Sequence, residues 1–248
     1  MDAYTRWARL YPALLTVLPL GVLVAGLVPG PRWWATLAGL ASTSGSSVLL
    51  VQFGRSAGRR KEPQLFNQWG GKPTTVLLRH RTTDNPIRLR RQHDQLGTLI
   101  ARPLPAPTEE AADPGAADLV YDAAVAVLRE RTRDRKRFPI VFEELRNYGF
   151  RRNLWALRAP GMTVATITTL ISAGVLAAHL QSDLAIDITA TSTALVTGVV
   201  ALATWTWLIT SEWVRHQAYA YAEALLGAAE LLSETRTAPG PHTRPSYR

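Results

Sequence analysis

The chain of 248 residues has no cysteine, which excludes a disulfide scaffold, a thiolate metal site and a cysteine nucleophile. Lysine is nearly missing as well: only three of the 28 basic residues are Lys, an arginine bias of the kind a GC-rich bacterial genome imposes. The most informative lack is local. Although 19% of the protein is charged, residues 10–31, 33–54, 159–182 and 188–211 hold no Lys, Arg, Asp or Glu. Runs of that length predict transmembrane helices.

Residues 10–31 would extend about 33 Å as a helix, enough to cross a hydrocarbon core of about 30 Å, with a kink expected at Pro19. Arg6 and Arg9 precede this run as in a secretory signal, but it is too long and a second apolar run follows at once. Pro29-Gly30-Pro31-Arg32 leaves room only for a turn, so 33–54 is expected to return across the bilayer. Residues 1–54 thus read as one transmembrane hairpin. Residues 159–211 read as a second, turning at a loop that carries Asp183 and Asp187.

Orientation follows from where the basic residues lie. Arg6, Arg9, Arg55, Arg59, Arg60, Lys61, Arg146, Arg151, Arg152, Arg158 and Arg215 share one side, with Arg32 alone on the other. The positive-inside rule then predicts a multi-pass protein of the bacterial inner membrane with both termini and the central segment in the cytoplasm. Trp7, Tyr11, Trp155 and Trp213 would form the inner aromatic belt, and Trp33 with Trp34 the outer one.

The predicted spans lack a midplane charge, which disfavours coupled ion transport. They carry instead small and hydroxylated residues, such as Gly39, Ser42 to Ser47, Thr168, Ser172, Thr191 and Gly198. These suit close helix packing with hydroxyl bonds across the interface. In an oligomer they could also line a water-filled path.

The charge excess sits wholly on residues 55–158, where 21 basic residues face 12 acidic ones. This segment reads as a helical cytoplasmic domain. Asn85-Pro86 and Asp113-Pro114 are cap-and-proline signals that open helices near 86–100 and 114–134. A third helix is expected from Pro139 to Tyr148, interrupted at Gly149, while 102–112 reads as a linker and 74–78 as the one candidate strand. Residues 212–236 predict a cytoplasmic helix whose Val214, Ala218, Tyr221, Leu225, Ala228 and Leu232 recur in 4-3 spacing, suited either to self-association or to docking on the central domain. Residues 237–248 read as a disordered tail. The expected fold class is all-α: a polytopic membrane protein with four transmembrane helices in two hairpins and an inserted helical domain.

Four features of that domain could carry chemistry. Arg129–Arg137 holds Arg129, Arg131, Arg133, Arg135, Lys136 and Arg137, a basic stretch suited to anionic headgroups at about 1 kcal/mol per well-placed cation, or to a phosphate-bearing ligand. Gly70-Gly71-Lys72 could arrange amides and Lys72 around an anion, but Phe66 stands where a P-loop needs glycine and Pro73 precedes the hydroxyl, so a structural turn is the simpler reading. Arg88 and His93 match the Arg-x4-His spacing of HEPN-type ribonucleases; a packing histidine is the default alternative. Arg151 and Arg152, beside Tyr148-Gly149-Phe150, would lie at headgroup level. No complete catalytic set, no metal site and no cofactor follows from these residues.

Leu65-Phe66-x-x-Trp69-Gly70-Gly71-x-Pro73-Thr74-Thr75, together with Thr132-Arg133-Asp134, Phe138 and Tyr148-Gly149-Phe150-Arg151-Arg152-Asn153, resembles a group of uncharacterised bacterial multi-pass membrane proteins. The layout is similar to that of membrane effectors of antiviral defence modules, including the SLATT-type proteins. Those have one helix pair where this chain has two, so no functional residue is carried over. The resemblance implies a membrane-disrupting effector held silent by a partner or nucleotide signal. The sequence therefore points to an oligomeric inner-membrane effector, triggered through its cytoplasmic domain by an anionic ligand or partner protein, with the lipid bilayer itself as a partner. A membrane-anchored ribonuclease acting on nucleic acid, and a scaffold recruiting a cytosolic partner, are the alternatives.

Overall fold

A computed structural model describes residues 6–27, 44–182 and 187–237; every regular element among them is helical and none is a strand. The helices are α1 (Tyr11–Leu27, entered through a π turn at Arg6–Leu10), α2 (Ser44–Gln68), α3 (Pro73–Leu78), α4 (Pro86–Ile100), α5 (Pro107–Ala112), α6 (Pro114–Arg131), α7 (Pro139–Ala156), α8 (Arg158–Gln181), α9 (Ile188–Ala203, continued by a π turn at Thr204–Leu208) and α10 (Ser211–Thr237). Helices α3 to α7 all begin on proline, whose fixed φ suits the first helical position and whose missing N–H is no loss there. Asn85 and Asp113 cap α4 and α6, accepting from the Arg88 and Ala116 amides at 3.0 and 2.9 Å.

Several expectations need correction. Residues 74–78 are helix rather than strand, because Pro73 opens a turn that buries Thr75 and Leu78 on one face. Helix α6 stops at Arg131, where the buried Thr132 hydroxyl donates back to the Leu128 carbonyl at 3.0 Å. Helix α7 runs through Gly149 to Ala156: a mid-helix glycine costs about 1 kcal/mol, which the burial of Tyr148 and Leu154 outweighs. Within 102–112 the chain forms α5. The turn expected at 29–32, the outer belt of Trp33 and Trp34, Asp183 and the tail from Ala238 lie outside the described residues, as does most of the expected second span; its end, 44–54, opens α2.

The chain divides into two compact units, Met1–Leu65 with Arg146–Gln217, and Phe66–Leu145 with Ala218–Arg248. In the first, α8 and α9 are long and apolar enough to cross a bilayer, at about 36 and 31 Å when the π turn is counted with α9. Their polarity is inverted relative to a helix in a water-soluble core. Gly161, Ala165, Thr168 and Ser172 of α8 and Thr191, Ala194 and Gly198 of α9 are buried, whereas Leu170, Val196 and Trp207 are 66%, 61% and 79% exposed. Small residues bring the two backbones together: a Cβ at Gly198 would lie 3.1 Å from the Thr169 amide nitrogen. The hydroxyls of Thr163, Thr169, Thr191, Thr193 and Thr197 bond the carbonyl one turn earlier in their own helix and not across the interface as expected, which satisfies them without a partner helix.

At one end of this unit lies a cationic and aromatic collar. Arg151 donates to the Trp213 carbonyl at 2.9 Å and stacks over its indole, while Arg146 lies over Trp7 and Lys61 over Trp155. Arg158 donates to the Trp205 and Thr206 carbonyls at 2.9 and 3.1 Å, within the π turn that widens the end of α9. Arg152 pairs with Glu62 at 2.7 Å, and the Tyr148 hydroxyl donates to the same carboxylate oxygen at 2.6 Å.

The second unit has its own core of Leu78, Leu96, Tyr121, Leu128, Leu225 and Leu226, all fully buried. Leu225 and Ala228 belong to the 4-3 seam, so this part of α10 docks within the unit that contains α3 to α6.

Candidate functional site

The polar chemistry of the second unit is built on α6. Asp118 and Asp122, one turn apart, face the segment that runs from Gly70 to Thr82. Gly70 and Gly71 have φ of 76° and 142°, the left-handed side that glycine alone enters readily, and so reverse the chain ahead of α3. Lys72, the next residue, forms an ion pair with Asp122, which also accepts from the Thr75 hydroxyl. The Gly70 and Gly71 amides donate to the Asn67 and Phe66 carbonyls at 3.4 and 2.8 Å, so the amides considered for an anion cradle are spent on the turn and Lys72 on Asp122. Arg79 grips Asp118 through two nitrogens at 2.8 and 2.6 Å and gives its third to the Gly70 carbonyl at 2.7 Å.

Above this ladder, α5 delivers Glu110, 2% exposed, into a complete donor shell. One carboxylate oxygen accepts from the His80 amide and the Tyr121 hydroxyl, both at 2.8 Å; the other accepts from the Arg81 guanidinium at 2.8 Å and its amide at 3.3 Å. Burial pushes the Glu110 carboxyl upward, but the four donors outweigh it and hold its pKa below the usual value. The Tyr121 phenol is pushed up, by burial first and by the Glu110 bond second.

Beside Glu110, α4 and the chain from Ala101 to Pro107 enclose a groove of about 700 Å³. His80 and His93 stack edge to face in its wall, centroids 4.8 Å apart. Their Nε2 atoms lie 3.1 Å from the Pro105 carbonyl and 2.8 Å from the Leu78 carbonyl; a carbonyl only accepts, so each ring carries its hydrogen on Nε2 and keeps Nδ1 as its other polar atom. Burial lowers the pKa of His93, against the Leu78 bond that raises it, so the ring is neutral at pH 7. Arg90, Asp94, Thr98 and Arg102 complete the polar lining.

The two residues of the ribonuclease spacing go to different partners: Arg88 lies 3.9 Å from Glu223 on an exposed surface, and His93 packs with Leu78, His80 and Tyr121. The basic stretch is a helix end followed by a turn. Arg129 and Arg131 are exposed on the last turn of α6; Arg133 pairs with Glu130 at 2.7 Å, Arg135 and Arg137 lie over Phe142 and Phe138, and the Lys136 amide bonds Asp134. All six cations of this stretch stay exposed. In the first unit Arg151 and Arg152 are held in the collar, so Arg152 neutralises Glu62 in place of a headgroup.

Reading the sequence did not single out Glu110, Arg79, Arg81 or the groove. The Asp118/Asp122 pair carried a usable signal, since acidic residues one turn apart on a helix need cations opposite them. Scans of protein-family models and searches of curated proteins and solved structures found no match to this chain.

Proposed function

We propose that this protein is a polytopic membrane protein of the bacterial inner membrane, with four spans in two hairpins and its termini and basic unit in the cytoplasm. It acts as an oligomeric effector that perturbs the bilayer when the cytoplasmic unit engages an anionic ligand or a partner. The observation that carries this reading is the inverted polarity of α8 and α9, with small and hydroxylated residues inside and Leu170, Val196 and Trp207 outside. In water such a surface would aggregate; in lipid it is the low-energy arrangement, and close-packed small residues permit helices to slide or repack at little cost. The collar of Arg151, Arg158, Trp213 and Trp7 supports placing that end at a headgroup region.

The test is alkaline extraction of membranes followed by reconstitution into dye-loaded vesicles with anionic lipid. Retention in the pellet and dye release on adding the trigger are expected. Recovery in the soluble fraction without detergent would overturn the reading altogether. Retention with no release under any cytosolic extract would reduce it to a membrane scaffold. Arg88 and His93 have separate partners, and among the described residues no geometry favours the ribonuclease alternative.

A further inference from the structure

The arginines between Arg79 and Arg102 fall into two groups. Arg79 and Arg81 are committed to Asp118 and Glu110, Arg88 to Glu223 and Arg91 to Glu230. The other two, Arg90 and Arg102, have no carboxylate within ion-pair distance among the described residues, and these are the two that line the groove. Asp94, on the same wall, likewise has no basic partner there. A segment whose other arginines are neutralised, but which leaves two cations and one anion unpaired around a concavity, presents binding groups.

The groove is also held open by local backbone chemistry. Ala101 closes α4 in the left-handed conformation, φ 54°, a strained choice for a residue with a Cβ. Its cap bonds, from the Ala101 and Arg102 amides to the Gly97 carbonyl, turn Arg102 back over α4. The return passes close to Gly97, where a Cβ would lie 3.2 Å from the Arg102 carbonyl oxygen, a tight contact. Three prolines, Pro103, Pro105 and Pro107, then stiffen the facing wall, so little ordering entropy remains to be lost on binding.

We propose that this groove binds a nucleoside phosphate. Arg90 and Arg102 take the phosphate, the guanidinium fork matching its oxygens. The imidazole edges and proline rings offer the apolar planar surface that a base requires, with Nδ1 of His93 to accept from a ring amino group. Asp94 accepts from ribose hydroxyls. The volume of about 700 Å³ suits a mononucleotide and falls within the usual range of small-molecule clefts. The inference names the anionic ligand of the cytoplasmic unit but is independent of the membrane reading, since binding is measured on the protein in detergent and vesicle leak is a separate result.

The experiment is titration calorimetry on the full chain in detergent with ADP, GDP, CDP and UDP, beside inorganic phosphate and adenosine. At least one diphosphate should bind, and Arg90→Gln and Arg102→Gln should each weaken it tenfold or more. Asp94→Asn should weaken it several-fold, while Arg129→Gln leaves it unchanged. Both arginine variants should melt with the parent, because neither guanidinium holds a carboxylate in the fold. No diphosphate binding would overturn the proposal. So would inorganic phosphate binding as tightly as the diphosphate, or an equal loss in Arg129→Gln, which would mark simple charge attraction.

Discussion

The Tyr121 hydroxyl donates at 2.8 Å to Glu110, a carboxylate 2% exposed that sits at the centre of four donors. Glu110→Ala leaves the Tyr121 hydroxyl and two backbone amides without their acceptor and Arg81 with Asp118 alone, at 3.4 Å; each stranded buried donor costs about 1–3 kcal/mol. Tyr121→Phe removes one donor and keeps the ring, at about 1 kcal/mol. Denaturant titration followed by tryptophan fluorescence should rank them in that order. A Glu110→Ala protein as stable as the parent would mean that the donor shell is not formed.

The same cluster sets an acid response in two stages. His93 has a folded pKa below its ordinary 6.5, lowered by burial and by His80 against the Leu78 carbonyl, Glu110 and Asp94. Its contribution is complete above about pH 6.5 and is lost as pH falls toward the folded value, because the unfolded chain takes up the proton first. Glu110, held below its ordinary 4.5, contributes fully above that pH and loses its share as pH falls through the folded pKa. Stability should therefore decline below about pH 6.5 and again below about pH 4.5, at no more than about 1.4 kcal/mol per pH unit for each proton. His93→Gln should remove the first decline and Glu110→Gln the second, read from melting temperatures across pH 3.5–8.

How much of this was legible in the sequence differs by interaction type. Helix starts at Pro86 and Pro114 were readable because a cap and a proline act locally, within one turn. The apolar length of α8 and α9 was readable because it is a property of composition. The end of α7 was not, since Gly149 breaks an isolated helix but not one whose neighbours Tyr148 and Leu154 are buried by tertiary packing. The Glu110 shell was not either: its donors come from residues 80, 81 and 121, and in a proline-rich acidic stretch nothing local marks one carboxylate as buried. The groove depends on which arginines find carboxylates, and only the fold decides that.

Glycines on α8 and α9 give a graded test of close packing. A Cβ at Gly161 would run into the Trp205 indole, and at Gly198 into Thr169, whereas at Gly174 nothing lies within 4 Å. Gly174→Ala should be neutral or stabilising by up to about 1 kcal/mol through helix propensity. Gly161→Val and Gly198→Val should each cost about 1–3 kcal/mol by overpacking. Thermal aggregation in detergent should separate the three; equal behaviour would refute the tight α8–α9 interface.

The Arg152, Glu62 and Tyr148 triad offers a comparison of single and double changes. Arg152→Ala leaves Glu62 in a half-buried setting with only the Tyr148 hydroxyl, and should cost more than Arg152→Ala combined with Glu62→Gln, which removes the stranded charge. The expected coupling is on the order of 1–2 kcal/mol, measured as a double-mutant cycle in detergent. Strict additivity would show that the pair is solvated and makes no net contribution.

The absence of cysteine makes orientation directly measurable, since any introduced thiol is the only one. Leu119 is exposed on α6, and Ser182 is exposed just past the end of α8. If the basic unit is cytoplasmic, Leu119→Cys should resist a membrane-impermeant maleimide in intact spheroplasts and react after lysis, while Ser182→Cys should react in both. Neither site is buried, so lack of labelling reports the membrane barrier and not the fold. Labelling of Leu119→Cys from outside would invert the topology and move the groove, with Arg90 and Arg102, to the face where no cytoplasmic nucleotide could reach it.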